Sequence, residues 1–179
     1  PYYPTAPKTK APNGACDCHA HMLAGPNDFP LWEGRVESPD PQIDFESWLA
    51  DYQDNLKAFG CTRGVIVHSI FYGTDNSVTV EAIRRLGPNF CGIGLLADGA
   101  KEEDVRHFAD WNISGVRLNY VHGGVLSWAG AKEMAPILKD HGLHIQMLMH
   151  AHLHMEDLVG DIMNLPVPVC FDHIGWPDL

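Results

Sequence analysis

Near the start of the chain two histidines stand one residue apart, just behind an aspartate, in Cys16-Asp17-Cys18-His19-Ala20-His21. In an extended strand, residues two apart point to the same side. Asp17, His19 and His21 then share one face, and Cys16, Cys18 and Ala20 share the other. A row of Asp and two His is poor core material, because buried polar groups cost free energy unless paired. Two imidazoles converging at a strand end can bind a metal ion or polarise a carbonyl. The plainer alternative is a hydrogen-bonded pair with no catalytic part.

Further polar residues end other apolar runs: His68 and Ser69, Arg117 and Asn119, and His173 in DHIGWP. His173 can face the same cavity as His19 and His21. Arg117, if it points inward from a strand, needs a partner. A substrate carboxylate or oxyanion is one candidate, and Asp17 or another strand carboxylate is the other. Ser69 can donate a hydrogen bond into the same space. Asp75 and Asn76 are either substrate contacts or caps of the next helix. Gln146 reaches the same side of its strand as Leu148 and His150. The tract His150-Ala151-His152-Leu153-His154 would align three imidazoles if extended, but it falls where a strand gives way to a helix. His107, His122, His141 and His144 read as surface or loop residues.

Short β-like runs alternate with helical patterns and must position these groups. The runs ACDCHAHM, RGVIVHSI, FCGIGLL, GVRLNY, LHIQMLM and VPVCFDHIG read as six strands. Between them DFESWLADYQDNLKAFG reads as a helix, with Asp44 as N-cap and Gly60 as stop. NSVTVEAIRRLG, KEEDVRHFADWN, SWAGAKEMAPILKDHG and MEDLVGDIMNL read as helices too, with Pro136 bending or interrupting the fourth. This βα alternation predicts a parallel α/β fold. A doubly wound sheet and a (β/α)8 TIM barrel compete. No GxGxxG follows the first strand, and the polar residues gather at strand C-terminal ends, where barrels place their sites. The expectation is a barrel of which residues 15–179 supply about six of eight βα units, after an extended N-terminal arm over residues 1–14. Six strands would leave two open edges, which predicts that this chain is part of a longer one.

The chain has 179 residues, 45% of them hydrophobic, enough for one sizeable core. Its formal net charge of -11 and the lack of any basic run argue against nucleic-acid binding. No run of 18 apolar residues marks a membrane span, and the Pro-rich start lacks a signal peptide's apolar centre. The five cysteines form no CxxC, which predicts a reducing, cytoplasmic setting without a disulfide framework. Cys16, Cys18 and Cys170 lie in apolar runs and are expected to pack as small hydrophobes.

Taken in order, DCHAH, GTDN after the second strand, GVRLN, HIQ and DHIGWPD resemble the amidohydrolase superfamily. Within it they resemble the amidohydrolase-2 branch of 2-pyrone-4,6-dicarboxylate lactonase and related sugar lactonases. The resemblance runs from about Asp17 and implies a (β/α)8 barrel that hydrolyses a lactone. It implies that His19, His21 and His173 are catalytic, polarising the substrate carbonyl without a metal, and that Ser69, Asn76 and Arg117 contact substrate. In the wider superfamily the same three histidines hold zinc or another divalent ion, which makes a metal-dependent hydrolase or decarboxylase the runner-up. The branch's general base is an aspartate ending strand eight, beyond residue 179. An arginine of the branch, which grips a substrate carboxylate, is replaced by Trp176, and a tyrosine near the end of strand five by Leu148. A less charged or more apolar lactone is therefore expected. The partner is a small molecule, with a homo-oligomer left open. A third reading is an incomplete, non-catalytic domain.

Overall fold

The computed structural model describes residues 4–178. Of the expected N-terminal arm, the first three residues lie outside the described ones; residues 4–14 contain no helix or strand. Among the described residues six strands occur: β1 (Cys16–Ala20), β2 (Arg63–Val67), β3 (Phe90–Gly94), β4 (Ile113–Asn119), β5 (His144–Leu148) and β6 (Val169–Phe171). Five α-helices alternate with them: α1 (Phe45–Phe59), α2 (Ser77–Leu86), α3 (Glu102–Asp110), α4 (Trp128–Asp140) and α5 (Ala151–Asn164). The strands lie in one sheet in chain order, β1-β2-β3-β4-β5-β6. A doubly wound sheet would reverse its order at a switch point, whereas a barrel adds each strand beside the last. The order therefore selects the (β/α)8 fold, six strands of it. The chain divides into two compact units, one through Gly92 and one from Ile93.

In the first unit β1 pairs in parallel with β2. Helix α1 starts where the Asp44 side chain accepts from Ser47 N at 2.9 Å and ends at Gly60, whose φ is 83°. It buries Phe45, Leu49, Tyr52 and Leu56, a stripe at helical spacing. Ile66, Val67, Val78 and Ala82 are fully buried and form the centre of this unit's core.

In the second unit β5 lies between β4 and β6, parallel to both. Val116, Leu118, Ile145 and Met147 are buried along the strands, and Val105, Phe108, Ala131, Ala135 and Leu138 along the helices. Pro136 lies inside α4 and does not interrupt it, so of the bend or break expected from the sequence the break does not occur. A proline inside a helix costs about 3 kcal/mol; the burial of Met134, Ala135 and Leu138 around it offsets that cost. Ser127 caps α4 by accepting from Gly130 N at 3.0 Å.

His144 is the half-buried first residue of β5 rather than a loop residue. Burial pulls its imidazole below the ordinary histidine range, and a Ser114 backbone hydrogen bond pushes weakly back. The folded chain thus resists a proton that the unfolded chain accepts. Stability is fully present above the unfolded value of about 6.5 and is lost as pH falls from there through the folded value. The urea midpoint is expected to drop below that pH, and to drop less in His144→Gln.

The cysteine expectation fails in part. Cys18 and Cys170 are exposed and Cys16 is half-buried. Cys18 and Cys170 lie on β1 and β6, the first and last strands in the sheet order, and among the described residues no strand covers their far side. An apolar sequence context predicts burial only where neighbours exist on both sides. Among the described residues no helix is long and apolar enough to cross a membrane.

Candidate functional site

In the first unit the two early histidines converge. His19 Nε2 lies 3.2 Å from His21 Nε2, with the rings edge to face at 4.9 Å between centroids. The alternation that suggested this pairing holds only in part. The β1–β2 register shifts between Asp17 and Ala20, and β1 ends at Ala20, so His21 lies one residue past the strand. Its ring is held there by Nδ1, which donates to Val67 O at 2.7 Å. A carbonyl only accepts, so Nδ1 carries the proton and Nε2 presents a lone pair in the neutral ring. His19 Nε2 is then the donor between the two. The Trp48 indole N–H fixes the backbone at His21 by donating to its carbonyl at 2.9 Å. Asp17 does not extend the imidazole row, since its Oδ1 accepts from His19 N at 3.3 Å. It also lies beside the Tyr52 hydroxyl. Burial first, and then the Asp17 charge, push that phenol well above the ordinary tyrosine range. A cavity of about 360 Å³ opens next to His21, lined also by Trp48, Asp51, Tyr52 and Asn55.

Ser69 and Asn76 belong to the turn between β2 and α2. Ser69 is buried and starts a short 3-10 helix (Ile70–Tyr72), its hydroxyl accepting from Phe71 N at 3.4 Å. Asn76 is 5% exposed, and its amide donates to Thr74 O at 3.0 Å. The capping bond at the start of α2 comes from Asp75, which accepts from Ser77 N at 3.0 Å.

In the second unit Arg117, Gln146 and Asp172 form a buried polar row. Arg117 on β4 lies in register with Gln146 on β5, and Gln146 with Cys170 on β6, two residues before Asp172. The Gln146 amide donates to Asp172 Oδ1 at 2.6 Å, and Arg117 Nη2 lies 3.8 Å from Asp172 Oδ2. The Arg117 and Asp172 side chains are 12% and 2% exposed. Burial lowers the pKa of the guanidinium and Asp172 opposes that shift. The strand carboxylate that sequence alone offered as a rival partner for Arg117 is thus Asp172.

His173 stands in a turn, not at a strand end. Strand β6 stops at Phe171, because His173, Ile174, Gly175 and Trp176 all take left-handed φ values of 52°, 59°, 74° and 44°. Such a run in non-glycine residues is costly and clusters at functional sites. Trp176 gathers imidazoles around it: His150 at 4.7 Å, His122 at 6.1 Å and His173 at 6.5 Å between ring centroids. The ring of His150 bonds through Nδ1 to Trp176 O at 3.3 Å. His150 is the N-cap residue of α5, so His152 and His154 lie on a helix and the extended alignment of the three does not form. The Asp172–Gln146 link and the Trp176 cluster were not read from the sequence. Asp172 carried one signal, an acid directly after an apolar run. The cluster carried none, since His122 and His150 come from segments distant from Trp176.

Among the described residues no three His, Cys, Asp or Glu side chains form a metal-binding group. Two nevertheless fit one. At Zn–N bonds of roughly 2.0–2.1 Å and a tetrahedral angle, ligand nitrogens stand about 3.3–3.4 Å apart. The Nε2 pair at 3.2 Å is close to that spacing, and His21 has the outer hydrogen bond that orients a metal-bound imidazole.

The sequence and the fold have counterparts among known proteins. The chain is 27% identical to a 2-pyrone-4,6-dicarboxylate hydrolase of Comamonas testosteroni over 179 residues, 98% of this chain and 56% of that protein. It is 29% identical to a 4-sulfomuconolactone hydrolase of Rhizobium radiobacter over 171 residues, 92% of this chain and 54% of that one. This chain thus spans about half the length of the curated relatives it matches. The crystal structure of a probable 2-pyrone-4,6-dicarboxylic acid hydrolase from Acinetobacter baumannii, with citric acid bound, superposes with a TM-score of 0.76 at 20% identity. That match covers 90% of this chain and 59% of that one, and establishes the fold. The amidohydrolase family profile matches residues 16–179, from the first strand onward. Since that match takes in all six strands, the chain belongs to the amidohydrolase-2 family.

Proposed function

We propose that this chain is part of a lactone hydrolase in which His19, His21 and His173 polarise the lactone carbonyl and stabilise the oxyanion. The observation that carries the reading is the Nε2 pair 3.2 Å apart, with His21 locked by Val67 O. The relatives named as 2-pyrone-4,6-dicarboxylate and 4-sulfomuconolactone hydrolases support a lactone as the substrate class.

A carbonyl oxygen set between the two rings accepts first from His19 Nε2–H. A proton taken up on His21 Nε2 supplies a second donor, and the Val67 carbonyl stabilises the imidazolium through its other N–H. Both donors then face the oxygen where negative charge develops as water adds to the carbonyl carbon, which is often the largest catalytic contribution. The acyl–oxygen bond of the ring breaks, and a hydroxy acid leaves. Arg117, held by Asp172, grips an anionic part of the substrate, with Ser69 and Asn76 as further contacts. An aspartate from outside residues 1–179 takes the proton of the attacking water and returns it to the ring oxygen as the acyl–oxygen bond breaks.

A second reading, a metal-dependent hydrolase or decarboxylase, draws on the same spacing. His19 and His21, with His173 as third ligand, would hold zinc or another divalent ion. Such an ion would supply Lewis-acid polarisation and an activated water. The test is to assay lactones with the full-length polypeptide, with and without a chelator. Turnover that survives chelation supports the metal-free reading. Turnover lost to chelator and restored by zinc supports the second, and no turnover supports a non-catalytic domain.

Trp176 sets an expectation about substrate charge. An indole offers no charge-assisted hydrogen bond to a second carboxylate. Placing one there with Trp176→Arg is worth about 1.5–3 kcal/mol. The ratio of kcat/KM for a dicarboxylated over an uncharged lactone is expected to rise about tenfold or more. No change in the ratio would show that Trp176 lies away from the substrate.

A further inference from the structure

We infer that His68 is a positioning residue: it holds Gly73, and through Gly73 and Trp32 it fixes the long loop of residues 21–44 that begins at the site histidine His21. The inference rests on reading His19 and His21 as the site. His68 follows Val67 at the end of β2 and is fully buried, so it cannot touch substrate. Both ring nitrogens are engaged. Nε2 lies 3.0 Å from Gly73 O and Nδ1 lies 2.8 Å from Thr79 Oγ1. The Gly73 carbonyl only accepts, so Nε2 carries the proton and the Thr79 hydroxyl donates to Nδ1. The two bonds fix the tautomer and the ring plane together.

Gly73 is what this latch holds. Its φ of 56° and ψ of -128° suit glycine alone. A side chain there would also meet Trp32 Cγ at 2.8 Å, so the indole lies directly on the glycine. Trp32 is tied to the same segment by its own N–H, which donates to Phe71 O at 2.8 Å. Its carbonyl accepts from Arg35 Nη1 at 2.7 Å. Nearer the site, the Tyr72 hydroxyl donates to Ala24 O at 2.8 Å and accepts from Ala24 N at 2.7 Å. The β2–α2 turn thus grips the loop at Ala24 and at Trp32, and His68 shapes the turn from beneath. An apolar residue could fill the same buried volume; only a donor at the position of Nε2 can hold the Gly73 carbonyl.

The amide nitrogen of glutamine reaches about as far as Nε2, and that of asparagine only as far as Nδ1. In the full-length polypeptide, His68→Gln keeps the donor to Gly73 O and His68→Asn loses it. Arg35 is the one Lys or Arg between Lys10 and Lys57, so tryptic cleavage inside the loop occurs at a single bond. Leaving a buried carbonyl unpaired is expected to speed cleavage after Arg35 roughly tenfold in His68→Asn, and to raise KM for a lactone by a similar factor, with kcat within about threefold. His68→Gln stays within about threefold of wild type in both. The cleavage rate needs no lactone, so it tests the latch even if the lactonase reading fails. KM tests the link to the site. Cleavage in His68→Asn at the wild-type rate overturns the inference. Equal impairment of both variants in step with a lowered Tm does so as well. If either variant does not fold, Trp32→Ala takes its place. It must release Arg35 and raise KM in the same way, and a tight loop with unchanged KM would refute the proposal.

Discussion

His19→Ala in the full-length polypeptide is expected to lower kcat for lactone hydrolysis by about 10²–10³-fold, the usual cost of one donor to a developing oxyanion. The effect should fall on kcat and kcat/KM alike, since the donor matters most in the transition state. The substitution leaves His21 anchored, because its Nδ1 bond to Val67 O at 2.7 Å does not involve His19. Residual activity therefore reports what His21 contributes alone. The two rings face each other across 3.2 Å and act as a unit, so His19→Ala/His21→Ala should cost little more than the worse single change. The check is steady-state kinetics on folded protein, with and without chelator. If His19→Ala kept wild-type turnover, the oxyanion role would be wrong in both its metal-free and its metal-bound form. If turnover fell and metal content fell with it, the metal-dependent reading would be preferred.

The second large effect concerns stability. Asp172→Asn should lower the unfolding free energy by about 3–5 kcal/mol, because it leaves the guanidinium of a buried ion pair without its counter-charge. The Arg117 and Asp172 side chains are 12% and 2% exposed, so water cannot replace the lost partner. The hydrogen bond from Gln146 survives, since an asparagine oxygen can still accept it at the place where Asp172 Oδ1 now sits 2.6 Å away. The loss thus isolates the charge. Replacing the whole row by apolar residues, Arg117→Met and Gln146→Leu with Asp172→Leu, should cost less than Asp172→Asn alone, because neither a buried charge nor the amide that donates to Asp172 is left behind. Urea unfolding of the three proteins decides the matter. A loss under about 1 kcal/mol in Asp172→Asn would mean that the pair behaves as a solvated one.

Much of this protein was legible along the chain. Strand and helix runs were clear because hydrophobic periodicity and end signals are local. Asp44 before α1 and Gly60 after it, and acidic Glu102, Glu103 and Asp104 opening α3, act within one helical turn. The β-run and helix-run alternation implied a parallel fold, and polar residues at the run ends implied where a site would lie. His19 and His21 were paired by spacing alone, and the pairing survived a register shift that broke the alternation behind it. Trp176 stands out along the chain only as a departure from a family pattern.

Tertiary structure decided the rest, for the same reason in each case: the deciding partner is far away in sequence. The strand order β1 to β6 follows from which strands pair, a property no single run carries. Arg117 had two candidate partners on paper, and the register of β4, β5 and β6 assigned it Asp172. Cys18 and Cys170 looked like core residues, and their places on the first and last strands left them exposed. His68 looked like one more polar strand end, and burial between Thr79 and Gly73 made it a latch. The amino-acid sequence determined by itself the elements, the fold class and the first pair of the candidate site, because those follow from periods of two and 3.6 and from neighbours within a few residues. Which buried charge meets which, and which polar side chain faces its partner rather than water, were left to the packing of distant segments, where the cost of an unpaired polar group selects one arrangement.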